Sequence, residues 1–288
     1  MESVELVVDA KATLGEGPCW DEQAGKLLWV DIVEKRVHIH DPASGSNRVI
    51  QLDQEIGAVV PRTGGGLMVV LRNGFYALDL ETEQLQQIVD PEADQPGNRF
   101  NDGKCDPKGR FWAGTMDLKE KVKEAGKLYC LNVDGSLRTM EVNVTTSNGL
   151  GWSPDHKVMY YIDSPTKQVA AYDYDVATGS ISNKRIVVEL GEGEGFPDGM
   201  TVDEEGMLWV AQWGGFKVSR WNPQTGERLS YIPVPAARAS SCAFGGENRD
   251  ELYITTARTG NDEEYPLAGG VFRVKPGVRG LPTYSYGG

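Results

Sequence analysis

The chain has 288 residues, with 29 lysines and arginines against 42 aspartates and glutamates, a formal net charge of −13. That balance argues against binding nucleic acid or anionic membranes by charge alone, and an acidic surface suits a cation site. No apolar run reaches the roughly 18 residues a membrane helix needs, and the length is enough to bury a self-sufficient core.

The first unit sets a pattern. Residues 16–21 read as a strand, 22–25 as a turn and 26–32 as a second strand. Residues 36–40 alternate as a third strand, and the tight turn Asp41-Pro42-Ala43-Ser44-Gly45 precedes a fourth at 48–52. That turn recurs at Asp79-Leu80-Glu81-Thr82-Glu83, Asp175-Val176-Ala177-Thr178-Gly179 and Asn222-Pro223-Gln224-Thr225-Gly226. An Asx side chain can bond its own backbone two residues on, and the closing glycine permits positive φ. Glu83 makes the second copy the loosest.

The second strand of each unit carries an apolar segment centred on Trp29, Val69, Trp112, Tyr161, Trp209 and Tyr253, at steps of 40, 43, 49, 48 and 44 residues. A period in this range marks a repeat in which each unit is one small sheet. The expected fold is all-β: a six-bladed β-propeller of four-stranded antiparallel blades around a central channel, one domain spanning 1–288. Residues 4–8 are predicted to supply the outer strand of the last blade, closing the ring with 270–274. Loops 116–126 and 258–269, each following a second strand, are expected to overhang one mouth of the channel as lid candidates.

Just before each inner strand the sequence reads Glu16-Gly17, Glu55-Ile56-Gly57, Asn101-Asp102-Gly103, Asn148-Gly149, Asp198-Gly199 and Ser240-Ser241. Each dipeptide alone is an ordinary turn signal. In register on separate blades, Glu16, Asn101, Asn148 and Asp198 would surround one point at the mouth. Carboxylates with carboxamide oxygens make a hard, partly anionic site for one divalent cation, Ca²⁺, Mg²⁺, Mn²⁺ or Zn²⁺, and two carboxylate charges neutralise it.

Other chemistries lose ground. None of the three histidines, His38, His40 and His156, falls at such an apex, and neither a GxSxG elbow nor an HExxH motif occurs. The glycines between Gly97 and Lys104 lack phosphate-loop spacing, and the Asp173/Asp175 pair lacks the glycine an EF-hand needs. Cys19, Cys105, Cys130 and Cys242 have no CxxC pairing and read as buried free thiols. Residues 1–11 carry neither a basic region nor an apolar run, so a cytoplasmic location is expected.

At these apices the sequence resembles the regucalcin (senescence-marker protein) and gluconolactonase family of sugar lactonases. The matching stretches are Leu14-Gly15-Glu16-Gly17-Pro18, Arg99-Phe100-Asn101-Asp102-Gly103-Lys104, Ser147-Asn148-Gly149-Leu150 and Pro197-Asp198-Gly199-Met200. Ser240-Ser241-Cys242-Ala243-Phe244-Gly245-Gly246 and the ending Pro282-Thr283-Tyr284-Ser285-Tyr286 extend the likeness over nearly the whole chain. The resemblance implies a six-bladed propeller holding one divalent cation. It places Glu16, Asn148 and Asp198 as metal ligands, Asp198 also as the catalytic acid or base, and Arg99 and Asn101 as substrate contacts. After Gly114-Thr115-Met116 the sequence departs, with Asp117-Leu118-Lys119-Glu120 intervening where mammalian members carry acidic residues close behind.

The implied activity is hydrolysis of a small-molecule sugar (aldono) lactone, by a monomer or weak homo-oligomer. The cation would polarise the lactone, with Asp198 as general base or acid. Two alternatives share the same residues: a calcium-binding or regulatory protein, and a promiscuous esterase or phosphotriesterase. A protein-binding platform is a third reading, which needs no metal at all.

Overall fold

A computed structural model describes residues 4–261 and 263–288; residues 1–3 of the expected domain and residue 262 of the second lid candidate lie outside the described part. A short strand β1 (Glu5–Val8) comes first. Two four-stranded sheets follow, β2–β5 (Gly15–Asp21, Lys26–Asp31, Arg36–Asp41, Ser46–Gln51) and β6–β9 (Ile56–Pro61, Leu67–Leu71, Gly74–Leu78, Leu85–Val89). The next two are β10–β13 (Asn98–Cys105, Phe111–Asp117, Gly126–Leu131, Leu137–Val144) and β14–β17 (Ser147–Trp152, Val158–Asp163, Gln168–Asp175, Ser180–Glu189). The rest of the chain forms β18–β21 (Phe196–Val202, Leu208–Trp213, Lys217–Trp221, Arg228–Pro233) and β22–β24 (Arg238–Gly245, Glu251–Ala257, Val271–Val274). Among the described residues the one helical element is the 3₁₀ turn Ser164–Thr166.

All strand pairs are antiparallel, as two-residue alternation and tight turns dictate. β18–β21, β22–β24 and β1 are formally one eight-stranded sheet, but β18–β21 meets the rest through a single pair, Trp213 with Arg238. β1 pairs with β24, Glu5 opposite Arg273 and Leu6 opposite Phe272, so the N-terminal strand completes the C-terminal sheet as the sequence predicts. The first strands touch in the order β2, β6, β10, β14, β18, β22 and back to β2.

The six apolar segments lie on the second strands, and their side chains fill the spaces between neighbouring sheets. Trp29 packs with Trp20 of its own sheet and with Tyr253 and Val271 from the last, Trp112 with Trp152 and Tyr161 from the next, and Trp209 with Phe244 and Phe272. Face-to-face packing of this kind supplies the core that each small sheet lacks alone. All four cysteines are buried and free. No helix of the described residues is long and apolar enough to cross a membrane.

The repeated turn forms as its composition requires. Asp41 Oδ1 accepts from the amides of Ala43 (2.9 Å) and Ser44 (3.3 Å), and Asp79 and Asp175 do the same in their copies. Gly45 closes its turn at φ +72°, whereas Glu83 must hold φ +57° with a side chain attached.

One expectation is corrected. Apart from Glu55, which stands just before β6, the apex residues do not precede the inner strands; they lie within them, at register shifts. Pairing slips between Glu16 and Cys19, Ile56 and Ala58, Phe100 and Gly103, Ser147 and Leu150, Pro197 and Met200, and Ala239 and Ser241. Such bulges re-aim a side chain without ending the strand. The following glycines serve close approach instead of turning. A Cβ on Gly149 would stand 2.7 Å from the Asp198 carbonyl oxygen, and one on Gly57 would collide with the Asn101 backbone.

At the other end of the inner strands the C-terminal segment crosses from sheet to sheet. Leu281 bonds Val202, Thr283 bonds the Glu22 carboxylate, Tyr284 meets His156 Nε2 at 3.0 Å, Tyr286 bonds Pro61 and Gly287 bonds Gly109. A space of about 60 Å³ lies beneath it, lined among others by Asp102, Lys104, Trp152 and Tyr284.

Candidate metal and substrate site

The bulges aim Glu16 (β2), Arg99 and Asn101 (β10), Asn148 (β14) and Asp198 (β18) into one cavity of about 270 Å³. All five are buried. Asp102, one residue further along the same bulge, lines the space beneath the C-terminal segment instead. Loop 116–126 does overhang the mouth, contributing Met116 and Glu120. Of the described part of loop 258–269, Arg258, Thr259 and Gly260 line a neighbouring shallow groove with Trp213 and Arg238, not this cavity.

A directed chain of hydrogen bonds runs through the site. Arg99 Nη1 donates to Asn101 Oδ1 (2.7 Å) and to the Phe100 carbonyl (3.0 Å). Asn101 Nδ2 donates to Asn148 Oδ1 (3.0 Å) and to the Ser147 carbonyl (2.8 Å). Asn148 Nδ2 donates to Ser164 Oγ (2.8 Å), which donates to the Pro197 carbonyl (2.6 Å) beside Asp198.

The two carboxylates are poorly provided for. Glu16 Oε2 accepts only a 3.1 Å bond from the next amide, that of Gly17. Asp198 Oδ1 is buried without a hydrogen-bond partner. Burial, then the Asp102 charge, pushes the Glu16 carboxyl up to about 8. Burial pushes Asp198 well above the carboxylate range, with Glu16 and Asp102 adding to it. The Arg99 guanidinium is itself pulled down by burial, against the fields of Glu120 and Glu16.

A cavity holding two under-partnered carboxylates beside a carboxamide oxygen matches a hard divalent cation. The orphaned Asp198 Oδ1 is the observation that makes the fit specific, since buried oxygens ordinarily have partners. Among the described residues no group of three or more His, Cys, Asp or Glu forms a metal cluster, so this donor set rests on the asparagine as well.

Three residues at the cavity escape the sequence pattern. Glu120 sits on the irregular loop after β11 at φ +57°, where no periodicity speaks. Phe196 and Trp213 form an apolar rim, capped by Lys167 Nζ 5.2 Å from the Phe196 ring and the Arg238 guanidinium 4.8 Å from the Trp213 ring. None of the histidines reaches the cavity. His38 stacks on Trp29 at 3.8 Å, and His156 serves the C-terminal segment.

The sequence profile of the SMP-30/Gluconolactonase/LRE-like region matches residues 14–258. The chain is 41% identical over 287 residues to the putative sugar lactone lactonase YvrE of Bacillus subtilis (strain 168), covering 98% of each. It is 43% identical over 292 residues to the regucalcin of Danio rerio, covering 99% of this chain and 98% of that one. The solved regucalcin of Agrobacterium tumefaciens, described as a calcium-binding protein, superposes with a TM-score of 0.93 at 27% identity over 98% of this chain and 96% of that one. With the profile spanning most of the chain and full-length relatives above 40% identity, the protein belongs to the SMP-30/gluconolactonase family.

Proposed function

We propose that the chain is a metal-dependent lactonase that opens sugar (aldono) lactones to the corresponding sugar acids, on a single six-bladed β-propeller domain. The closed order of contacts among the six inner strands supports the ring. The observation that carries the function is the gathering of Glu16, Arg99, Asn101, Asn148 and Asp198 in one cavity with a buried, unpartnered Asp198 oxygen. Relatives named as lactonases support the same reading.

Glu16, Asn148 and Asp198 are the residues that would hold one divalent cation, whether Ca²⁺, Zn²⁺, Mn²⁺ or Mg²⁺. When bound, the ion supplies the positive charge that polarises a lactone carbonyl and neutralises the two carboxylates. Arg99, Asn101 and Glu120 offer donors and acceptors to ring hydroxyls, and Phe196 and Trp213 offer an apolar face to the carbons between them. Asp198 takes a proton from the attacking water as its oxygen bonds the carbonyl carbon. It returns that proton to the ring oxygen as the ester C–O bond breaks, giving one open hydroxy acid. The reading suits a cytoplasmic monomer or weak homo-oligomer.

A calcium-binding, regulatory role is the second reading, favoured by the description of the Agrobacterium neighbour. Arg99 and Glu120 weigh against it, because storage of a cation needs no buried guanidinium facing the same cavity. The test is a metal-swap assay on five- and six-membered sugar lactones. Turnover that is lost on chelation and restored by one or more divalent ions supports the enzyme. Stoichiometric metal binding without turnover on any lactone supports the regulatory role.

A further inference from the structure

Ser164 lies outside the set of charged and amide residues that the chemistry uses, yet it joins the two strands that carry Asn148 and Asp198. It opens the 3₁₀ turn after β15 and is buried. The turn is held by other bonds. The Ser164 amide donates to Thr146, Lys167 donates back to the Ser164 carbonyl, and both Asp163 oxygens take the amides of Thr145 and Thr146. Pro165 fixes the next φ. Ser164 Oγ therefore stays in place without needing its own hydrogen bonds to keep the turn folded.

A hydroxyl has one proton. Ser164 Oγ spends it on the Pro197 carbonyl at 2.6 Å, so toward Asn148 it can only accept. Asn148 must then turn its NH₂ to Ser164 and its Oδ1 the other way. From the opposite end, a guanidinium can only donate, so Arg99 forces Asn101 to accept through Oδ1 and to donate its NH₂ to Asn148 Oδ1. The two ends agree, and the Asn148 carboxamide has one allowed orientation. Its oxygen accepts one bond from Asn101 and keeps a second lone pair.

We propose that Ser164 is a positioning residue for cation binding: it locks the Asn148 amide oxygen-inward and ties the β18 backbone beside Asp198 to the same turn. The inference rests on the lactonase reading and its cation. Outer partners that orient a ligand are typically worth 10–100-fold in metal affinity. In Ser164→Ala the Asn148 NH₂ loses its acceptor on that side, and only the Asn101 bond is left to hold the oxygen inward.

The test is a calorimetric titration of Ca²⁺, Mn²⁺ and Zn²⁺ into the chelator-stripped parent, Ser164→Ala and Ser164→Thr. Melting temperatures are read with and without ion. The expected result is a Kd raised about 10–100-fold in Ser164→Ala and recovered in Ser164→Thr, which keeps the hydroxyl. The metal-free melting temperature should fall by no more than the few degrees that two lost buried hydrogen bonds cost, while the rise on adding ion is diminished. With lactone, kcat should fall at subsaturating ion and KM should hold. A Ser164→Ala protein that binds each ion as tightly as the parent overturns the positioning role and leaves the lactonase reading standing. A parent that binds none of the three ions overturns both. A Ser164→Ala protein that melts lower without ion but binds as tightly as before shows a merely structural serine, again against the proposal.

Discussion

Asp198 and Asp203 stand on one strand and just past its end, both buried, and their surroundings are opposite. Asp203 is 0% exposed and fully met. Its Oδ1 accepts the amides of Glu205 (3.0 Å) and Met207 (2.9 Å); its Oδ2 accepts Trp209 Nε1 (2.9 Å) and Arg220 Nε (2.8 Å). Asp106 repeats the arrangement past the end of β10, with Arg110, Trp112 and Tyr174 on Oδ2 at 2.6, 2.9 and 2.7 Å. The shared spacing is Asp, then Gly three residues on, then Trp after three more: Asp106-Gly109-Trp112 and Asp203-Gly206-Trp209. Asp198, at the other end of β18, has an oxygen with no partner and shares its cavity with Glu16. A buried carboxylate closed by four donors holds a hairpin together, whereas one left open costs stability and waits for a ligand.

Substitutions at the two ends should therefore fail in different ways. Asp203→Ala takes the acceptor from Trp209 Nε1 and from the Glu205 and Met207 amides and leaves Arg220 with Glu205 alone, and should cost about 3 kcal/mol of stability, as leaving buried donors unmet does. Lactonase turnover per folded molecule, measured below the new melting temperature, should remain. If turnover fell in step with stability, the two ends would not be separate.

Asp198→Ala should do the reverse, lowering kcat/KM at least ~100-fold through loss of a proton-transferring carboxylate. Without ion, its melting temperature should equal or exceed the parent's, because a buried oxygen with no partner is gone. Full activity in a correctly folded variant would remove Asp198 from the mechanism.

The pH dependence of the metal-free protein comes next in size. Glu16 is raised from 4.5 to about 8, so between those values the native state binds more protons than the unfolded chain. Stability should be full below about pH 4.5 as far as this group goes, and fall as pH rises toward 8, by a few degrees in melting temperature. A saturating divalent ion replaces the protons and should flatten that slope. A metal-free melting temperature that climbs from pH 5 to 8 would contradict the burial of an unmet Glu16.

The smallest effect belongs to a surface carboxylate. Arg48 meets Glu83 at 2.7 Å with both side chains about half exposed, so Arg48→Ala should change stability by less than about 1 kcal/mol. Chemical denaturation would show a larger loss if surface pairs, not buried ones, carried the fold.

Much of this was legible in the sequence, because repeats state their own alignment. The apolar centres, aromatic in all units but the second, marked the second strands, and reading backwards from them put Glu16, Asn101, Asn148 and Asp198 at one level. The β1–β24 closure was legible too, residues 4–8 pairing with the 270–274 segment as expected. The bulges were not legible. Asn148-Gly149 and Asp198-Gly199 read as turn dipeptides locally, and only the close approach of neighbouring inner strands turns their glycines into contact points. Glu120 was hidden for a related reason: its place over the cavity comes from an irregular loop held by Asp117 Oδ2 on the amides of Lys121 and Val122. Ser164 carries no charge and no motif, and its importance appears only once both of its hydrogen-bond partners are known.

The central claim is that side chains from β2, β14 and β18 share one ion, and anomalous diffraction from crystals of the protein grown with Mn²⁺ tests it most directly. The account predicts a single peak about 2.0–2.6 Å from carboxylate oxygens of Glu16 and Asp198 and from Asn148 Oδ1. A peak bound elsewhere, or none with those three residues in place around the empty cavity, would contradict it.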